Sequence, residues 1–237
     1  MQDDSSPIES LRERNVAARR QRILDSARHI IVKKGVPALT MRGLARESGL
    51  AVKTLYNLWG GRDAILRALV EQAMDRMDQA LEQEAPLDDP LERCRAVVTV
   101  SVRHLVEDEA VSRSMVLAHY QGLSAGPSSA GVTARATQMQ AVAIRAAIAQ
   151  RLLTDLLDPE VLGRQIYHGY EMAHLQWAFG VIDEDGFRAR ALYGLYVALL
   201  GVATRRARPF MEAELAKLER TLQAQARPPR GSARKTA

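Results

Sequence analysis

Apolar positions along this chain recur at helical spacing rather than in strand alternation. Val16, Ile23, Leu24, Ala27, Ile30 and Ile31 form one stripe, with Arg and Lys on the opposite face. Gly35 ends this first helix, and Pro37 prevents its continuation. Two short helices and a longer one follow, the last reaching to about Glu84. Beyond Pro90 the pattern predicts helices over 90–107, 110–122, 132–156, 160–181, 185–205 and 209–226. Ala, Leu, Arg and Glu dominate and no internal repeat is visible, so the expected fold is all-α.

Composition narrows the class. Apolar residues make up 47% of the 237 residues and charged residues 26%, as in a globular protein of one or two domains. Cys94 is the only cysteine, which excludes an internal disulfide and points to a cytoplasmic protein. The polar N-terminus (Asp3, Asp4, Ser5, Ser6, Pro7) lacks the apolar core of a signal peptide. The longest apolar run, Ala191 to Ala203, is thirteen residues, short of the roughly 20 that span a bilayer.

Charge is where the chain becomes informative. The net +5 divides into +6 over residues 1–70, −5 over 71–226 and +4 over 227–237. Residues 11–62 alone carry 12 Lys/Arg against 3 acids. A basic head on an acidic body predicts that one end of the molecule meets a polyanion.

Within that head, residues 40–66 read TMRGLARESGLAVKTLYNLWGGRDAIL. Thr40 suits an N-cap, and Met41, Leu44 and Ala45 give a short helix its buried face. Ser48-Gly49-Leu50 makes a tight turn in which Gly49 takes the left-handed position. A second short helix, Val52 to Leu58, buries Leu55 and exposes Lys53, Thr54 and Asn57. Two short helices joined by such a turn form a helix-turn-helix, whose second helix can enter the major groove of DNA.

Arg22-Ile23-Leu24, Ala27, Gly35, Thr40, Leu44-Ala45, Gly49-Leu50, Thr54-Leu55-Tyr56, Gly61-Arg62-Asp63 and Leu66 resemble the N-terminal signature of TetR-family transcriptional regulators, over about residues 15–67. The resemblance implies phosphate contacts from Thr40, Tyr56 and Arg62, and a base-edge contact from Arg42. Val52, Lys53, Thr54 and Asn57 would complete the groove-facing set. Arg12, Arg14, Arg19 and Arg20 would add phosphate or minor-groove contacts. Four positions depart from the usual pattern: Val36 for an aromatic, Lys53 for Gly or Pro, Leu58-Trp59 for His-Phe, and Gly61 for a Ser cap.

By the same resemblance the chain divides into a flexible basic arm (1–14), a helix-turn-helix domain (15–66), a helical effector-binding and dimerisation domain (67–226) and a disordered basic tail (227–237). The implied function is that of a bacterial repressor, binding a palindromic operator as a homodimer and released by a hydrophobic or aromatic small molecule. His104, Met115, His119, Tyr120, Met139, Tyr170, His174 and Trp177 are the candidate effector contacts. The apolar run at 191–203 is assigned to pairing of the last two long helices between protomers. No cofactor, metal or membrane partner is expected.

Two other readings compete. A ligand-independent helical DNA-binding protein would have a solid core. An enzyme would need converging catalytic groups, and two motifs bear on that. Gly122-x-Ser124-x-Gly126 matches a nucleophile elbow, but a helical stretch precedes it and a loop follows, where that motif needs a strand and then a helix. Glu171-x-x-His174, with His168, matches half of a di-iron motif and has no second copy.

Overall fold

The computed structural model describes residues 11–85, 88–120 and 128–226. They form ten α-helices and one 3-10 turn, with no strand beyond an isolated antiparallel bridge between Leu153 and Ala203. The helices are α1 (Leu11–Lys34), α2 (Met41–Ser48), α3 (Val52–Trp59), α4 (Arg62–Glu84), α5 (Pro90–Glu107), α6 (Glu109–Tyr120), α7 (Ser128–Ala149), α8 (Pro159–Ala178), α9 (Glu184–Leu200) and α10 (Arg208–Ala226). The all-α expectation holds. None of these helices is long and apolar enough to cross a membrane.

Local chemistry sets several starts. Asp89 and Asp158 each precede a proline at the first helical position, and their carboxylates accept from the Glu92 N–H and from the Glu160 and Val161 N–H groups. Asp183 caps α9 in the same way through the Gly186 N–H at 2.8 Å. Proline costs nothing there, because the first N–H of a helix has no internal partner.

Two compact units share the chain. The first comprises residues 1–73 and 110–128. Ile23, Leu24, Ala27, Ile30 and Ile31 of α1 form its floor, against Leu44 and Ala45 of α2, Leu55 of α3, Ile65, Leu66 and Leu69 of α4, and Val111 and Ala118 of α6. Each such aliphatic side chain adds roughly 1.5–3 kcal/mol on burial, so two eight-residue helices that would not persist alone are held by this core.

The second unit comprises residues 74–109 and 129–237. Its middle is α9, which packs on α5, α8 and α10. Gly163 lets α8 approach α7 closely: a Cβ there would lie 3.0 Å from the Thr137 carbonyl oxygen. Arg93 is buried and ties α5 to the end of α4, donating to the carbonyls of Leu81 and Ala85 and to Glu82. On the surface, Arg103 chelates Glu84 at 2.6 and 2.9 Å, and Arg135 bonds Asp75 and Asp78.

Several boundaries differ from the periodicity. Helix α1 begins at Leu11, inside the segment expected as a flexible arm, and α7 spans Ser128–Ala149 rather than 132–156. Residues after Ala149 leave the helix because the Thr154 N–H bonds to the Val202 carbonyl and the Thr204 N–H to the Leu152 carbonyl. The compact head extends to residue 73 and takes in residues 110–128, where the sequence suggested 15–66. The Ser124 motif, residues 1–10 and the tail from 227 lie outside the described residues.

The apolar run also finds a different use. Ala191, Leu192, Leu195, Tyr196, Leu199 and Val202 are buried within the second unit, while Val197 on the same helix stays 49% exposed. Exposed apolar side chains lie on α9 (Val197), α10 (Phe210) and along α8 to its C-cap. Val161 (65%), Met172 (55%) and Phe179 (55%) remain open, and their spacings of 11 and 7 put them on one helical face.

Candidate nucleic-acid interface

The helix-turn-helix is built from α2, a turn and α3. Thr40 caps α2: its hydroxyl accepts from the Gly43 N–H at 3.1 Å while its backbone stays extended. Gly49 ends α2 at φ 66°, a left-handed conformation that a β-carbon would strain. Its N–H returns to the Ala45 carbonyl. Ala51 then opens α3 without any side-chain cap, and Gly60 closes it, again left-handed, with its N–H 2.7 Å from the Tyr56 carbonyl.

Helical periodicity sorts the side chains of α3. Leu55 is buried, and Val52, Leu58 and Trp59 pack partly buried on the head's core. Lys53, Tyr56 (51%) and Asn57 face outward, and Thr54 is half-buried. Thr40 and Arg42 at the start of α2 are exposed as well. The structure therefore leaves Thr40, Arg42, Lys53, Tyr56 and Asn57 open to a partner.

Two residues of the expected set are engaged otherwise. Val52 spends its side chain on the core, because it lies three residues before Leu55 on the apolar face. Arg62 is half-buried and donates to the Val36 carbonyl at 3.0 Å, with Asp63 at 3.7 Å, so it fastens the 3-10 turn Val36–Ala38 to α4. Arg20, expected to reach DNA, also donates to the Leu58 carbonyl at 3.2 Å and lies over the Trp59 ring at 5.3 Å.

The candidate effector residues fall into separate sets. Met115 packs against the core of the first unit, and His119 and Tyr120 meet edge to face, 5.4 Å apart and exposed, on the same helix. In the second unit Tyr170, His174 and Trp177 come together with Phe187, which was not among the candidate effector contacts. His174 stacks on Phe187 at 5.5 Å and 12° and on Trp177 at 5.9 Å and 27°. Tyr170 shares a 2.6 Å hydrogen bond with Ser101, a second residue the spacing did not single out.

The chemistry of this cluster is neutral. Burial lowers the His174 pKa to about 4, and its Nε2 has no hydrogen-bond partner. Burial likewise raises the Tyr170 pKa above the ordinary phenol value. His104 lies apart from this cluster's ring contacts, its Nδ1 3.0 Å from the Val100 carbonyl oxygen, and Met139 packs with Met77, Leu81 and Val97. His168 is exposed while His174 is enclosed by aromatic rings, so the Glu171 motif does not converge. Burial pushes the Cys94 thiol up to about 12, which leaves it unreactive.

Comparison with known proteins agrees with this geometry. Residues 23–69 match the family described as bacterial regulatory proteins, tetR family. The HTH-type transcriptional repressor KstR of Rhodococcus jostii is 29% identical over 100 residues, 42% of this chain and 47% of KstR. The chain thus aligns with under half of that relative's length. The HTH-type transcriptional regulator TtgW of Pseudomonas putida is 29% identical over 104 residues, 44% of this chain and 75% of TtgW.

Among solved structures, a TetR-family regulator from Pectobacterium atrosepticum superposes with a TM-score of 0.60 at 24% identity, covering 81% of this chain and 97% of that one. SmeT, the repressor of the Stenotrophomonas maltophilia multidrug efflux pump SmeDEF, gives 0.63 at 18% identity, covering 78% and 91%. At these identities the likeness is one of fold. With the family match falling on the helix-turn-helix itself, residues 23–69 resemble the DNA-binding head of the TetR family, and the chain shares the fold of TetR-family transcriptional regulators.

Proposed function

We propose that the protein is an effector-responsive repressor that binds a near-palindromic operator as a homodimer. The observation that carries this reading is the outward face of α3, where Lys53, Tyr56 and Asn57 stand free on a helix whose other side is fixed by Leu55. Asn57 can pair with an adenine edge, and Lys53 with a guanine edge or a phosphate. The Tyr56 hydroxyl and the N-terminal turn of α2 beside Thr40 suit phosphate oxygens. Arg42 is the further candidate for a base, and Arg62 keeps part of its guanidinium for the backbone.

A homodimer follows from the α8 face. Val161 and Phe179 are 18 residue steps apart, or about 27 Å of helix, and exposed apolar side chains along one helical face favour a covering partner. A second copy would cover it by two-fold pairing and set two α3 helices on major grooves about 34–36 Å apart. Release rests on the neutral aromatic cluster of Tyr170, His174 and Trp177, which suits an uncharged, flat, largely apolar effector. Such a ligand shifts DNA affinity only by its differential affinity for the two conformers.

Selection of bound sequences from a random duplex pool tests the reading. The expected product is a two-fold-symmetric sequence with half-sites one helical turn apart. Recovery of no sequence preference would overturn it.

A further inference from the structure

The basic residues of α1 would ordinarily be assigned to the DNA backbone. Arg20 is placed for another task. Helix α3 has eight residues, no side-chain cap at its start, and at its end four carbonyls that the helix cannot satisfy internally. The Tyr56 carbonyl is met by the Gly60 N–H, and the Leu58 carbonyl by the Arg20 guanidinium at 3.2 Å. That guanidinium also lies 5.3 Å from the centre of the Trp59 ring. A cation at this end of a helix opposes the partial negative charge of the exposed carbonyls.

Trp59 depends on the contact in turn. Its indole Nε1 is buried without a hydrogen-bond partner, so the ring is held by packing and by the cation on its face. Lys53, Tyr56 and Asn57 precede this anchored end by six, three and two residues on a helix of barely two turns. A small rotation at Trp59 therefore swings all three.

We propose that Arg20 is a positioning residue for α3: through the Leu58 carbonyl and the Trp59 ring it sets the angle at which Lys53, Tyr56 and Asn57 are presented to DNA. The proposal rests on the DNA-binding reading above. It differs in kind from a phosphate contact, which strengthens binding to every sequence alike and adds about 0.9 to the slope of log K against log salt.

The test compares Arg20→Ala, Arg20→Lys and Arg19→Ala in the full-length protein. Binding to the selected operator and to a scrambled duplex is measured across a salt series, at a temperature where circular dichroism is native. Arg20→Ala is expected to lower the operator-to-scrambled affinity ratio at least tenfold, within what one cation–π contact and one charged hydrogen bond can supply, with the salt slope retained. Lysine keeps the charge but loses the planar fork, so Arg20→Lys should recover little of the loss. Arg19→Ala supplies the behaviour of an exposed charge.

A readout free of DNA accompanies it: amide hydrogen exchange at Trp59 and Gly60 should speed up in Arg20→Ala. An unchanged ratio, a slope lowered by about 0.9 with equal loss on both duplexes, rescue by lysine, or unchanged exchange would each overturn the proposal. Failure of the DNA-binding reading appears separately, as absence of sequence preference in the wild type, and the exchange measurement then still decides the role of Arg20.

Discussion

Replacing Arg93 with methionine removes a buried cation from the joint between α4 and α5 and keeps most of the side-chain volume. Arg93 is 6% exposed and serves three acceptors. Two are the carbonyls of Leu81 and Ala85, on residues that are themselves buried, and the third is a carboxylate oxygen of Glu82 at 2.7 Å. Glu82 is 73% exposed, so its share is held to about 1 kcal/mol or less by solvent screening. The carbonyls are different: each loses a charge-assisted bond and stays out of water, at about 1.5–3 kcal/mol apiece. The expected destabilisation is therefore about 3–6 kcal/mol for Arg93→Met, with under about 1 kcal/mol for Glu82→Gln.

The two tryptophans make this measurable. Trp177 is buried in the second unit and Trp59 is partly buried in the first, so urea unfolding in a Trp59→Phe background reports on the unit that holds Arg93. Equal losses from Arg93→Met and Glu82→Gln would refute the reasoning, since the ion pair and not the helix end would then carry the energy.

Other outcomes follow from the second unit. His174, held near a pKa of about 4 by burial, is neutral when folded, whereas the unfolded chain protonates below its ordinary value of 6.5. Stability should therefore fall by up to about 3 kcal/mol as pH drops from 6.5 to 4, and His174→Phe should flatten that slope in urea titrations at several pH values. Met172→Glu places a charge on the exposed α8 face. It should yield a monomer by light scattering while far-ultraviolet circular dichroism stays native, and a persistent dimer would remove α8 from the interface.

Much of the head was legible because its signals are local. Thr40 and Gly49 announce themselves by residue type, and the six apolar positions of α1 fall at one spacing. The Asp-Pro pairs at 89–90 and 158–159 mark helix starts for the same reason. What the sequence concealed depends on which neighbour covers a face. An apolar stretch such as Ala191 to Ala203 looks alike whether its cover is another protomer or α5, α8 and α10 of the same chain, which bury Ala191, Leu192, Leu195, Tyr196, Leu199 and Val202. The α8 stripe is hidden in the sequence because Val161, Met172 and Phe179 are separated by polar residues and share a face only on the folded helix.

Arginines were the hardest to place. Arg20 and Arg62 were expected to contact DNA and Arg93 was given no role, yet each donates to a backbone carbonyl on another segment of the chain. No local pattern announces such a bond. Tyr170 and His174 were named as pocket residues, but their partners Ser101 and Phe187 come from other helices.

The most direct test of DNA reading by α3 is the operator affinity of the Lys53→Ala, Tyr56→Phe double variant. Both side chains are exposed and neither supports the core, so the fold and oligomeric state should match the wild type by circular dichroism and light scattering. The account predicts operator binding at least tenfold weaker, about the worth of one base or phosphate contact at each position. Unchanged operator affinity in a folded variant would contradict it and place the recognition surface elsewhere.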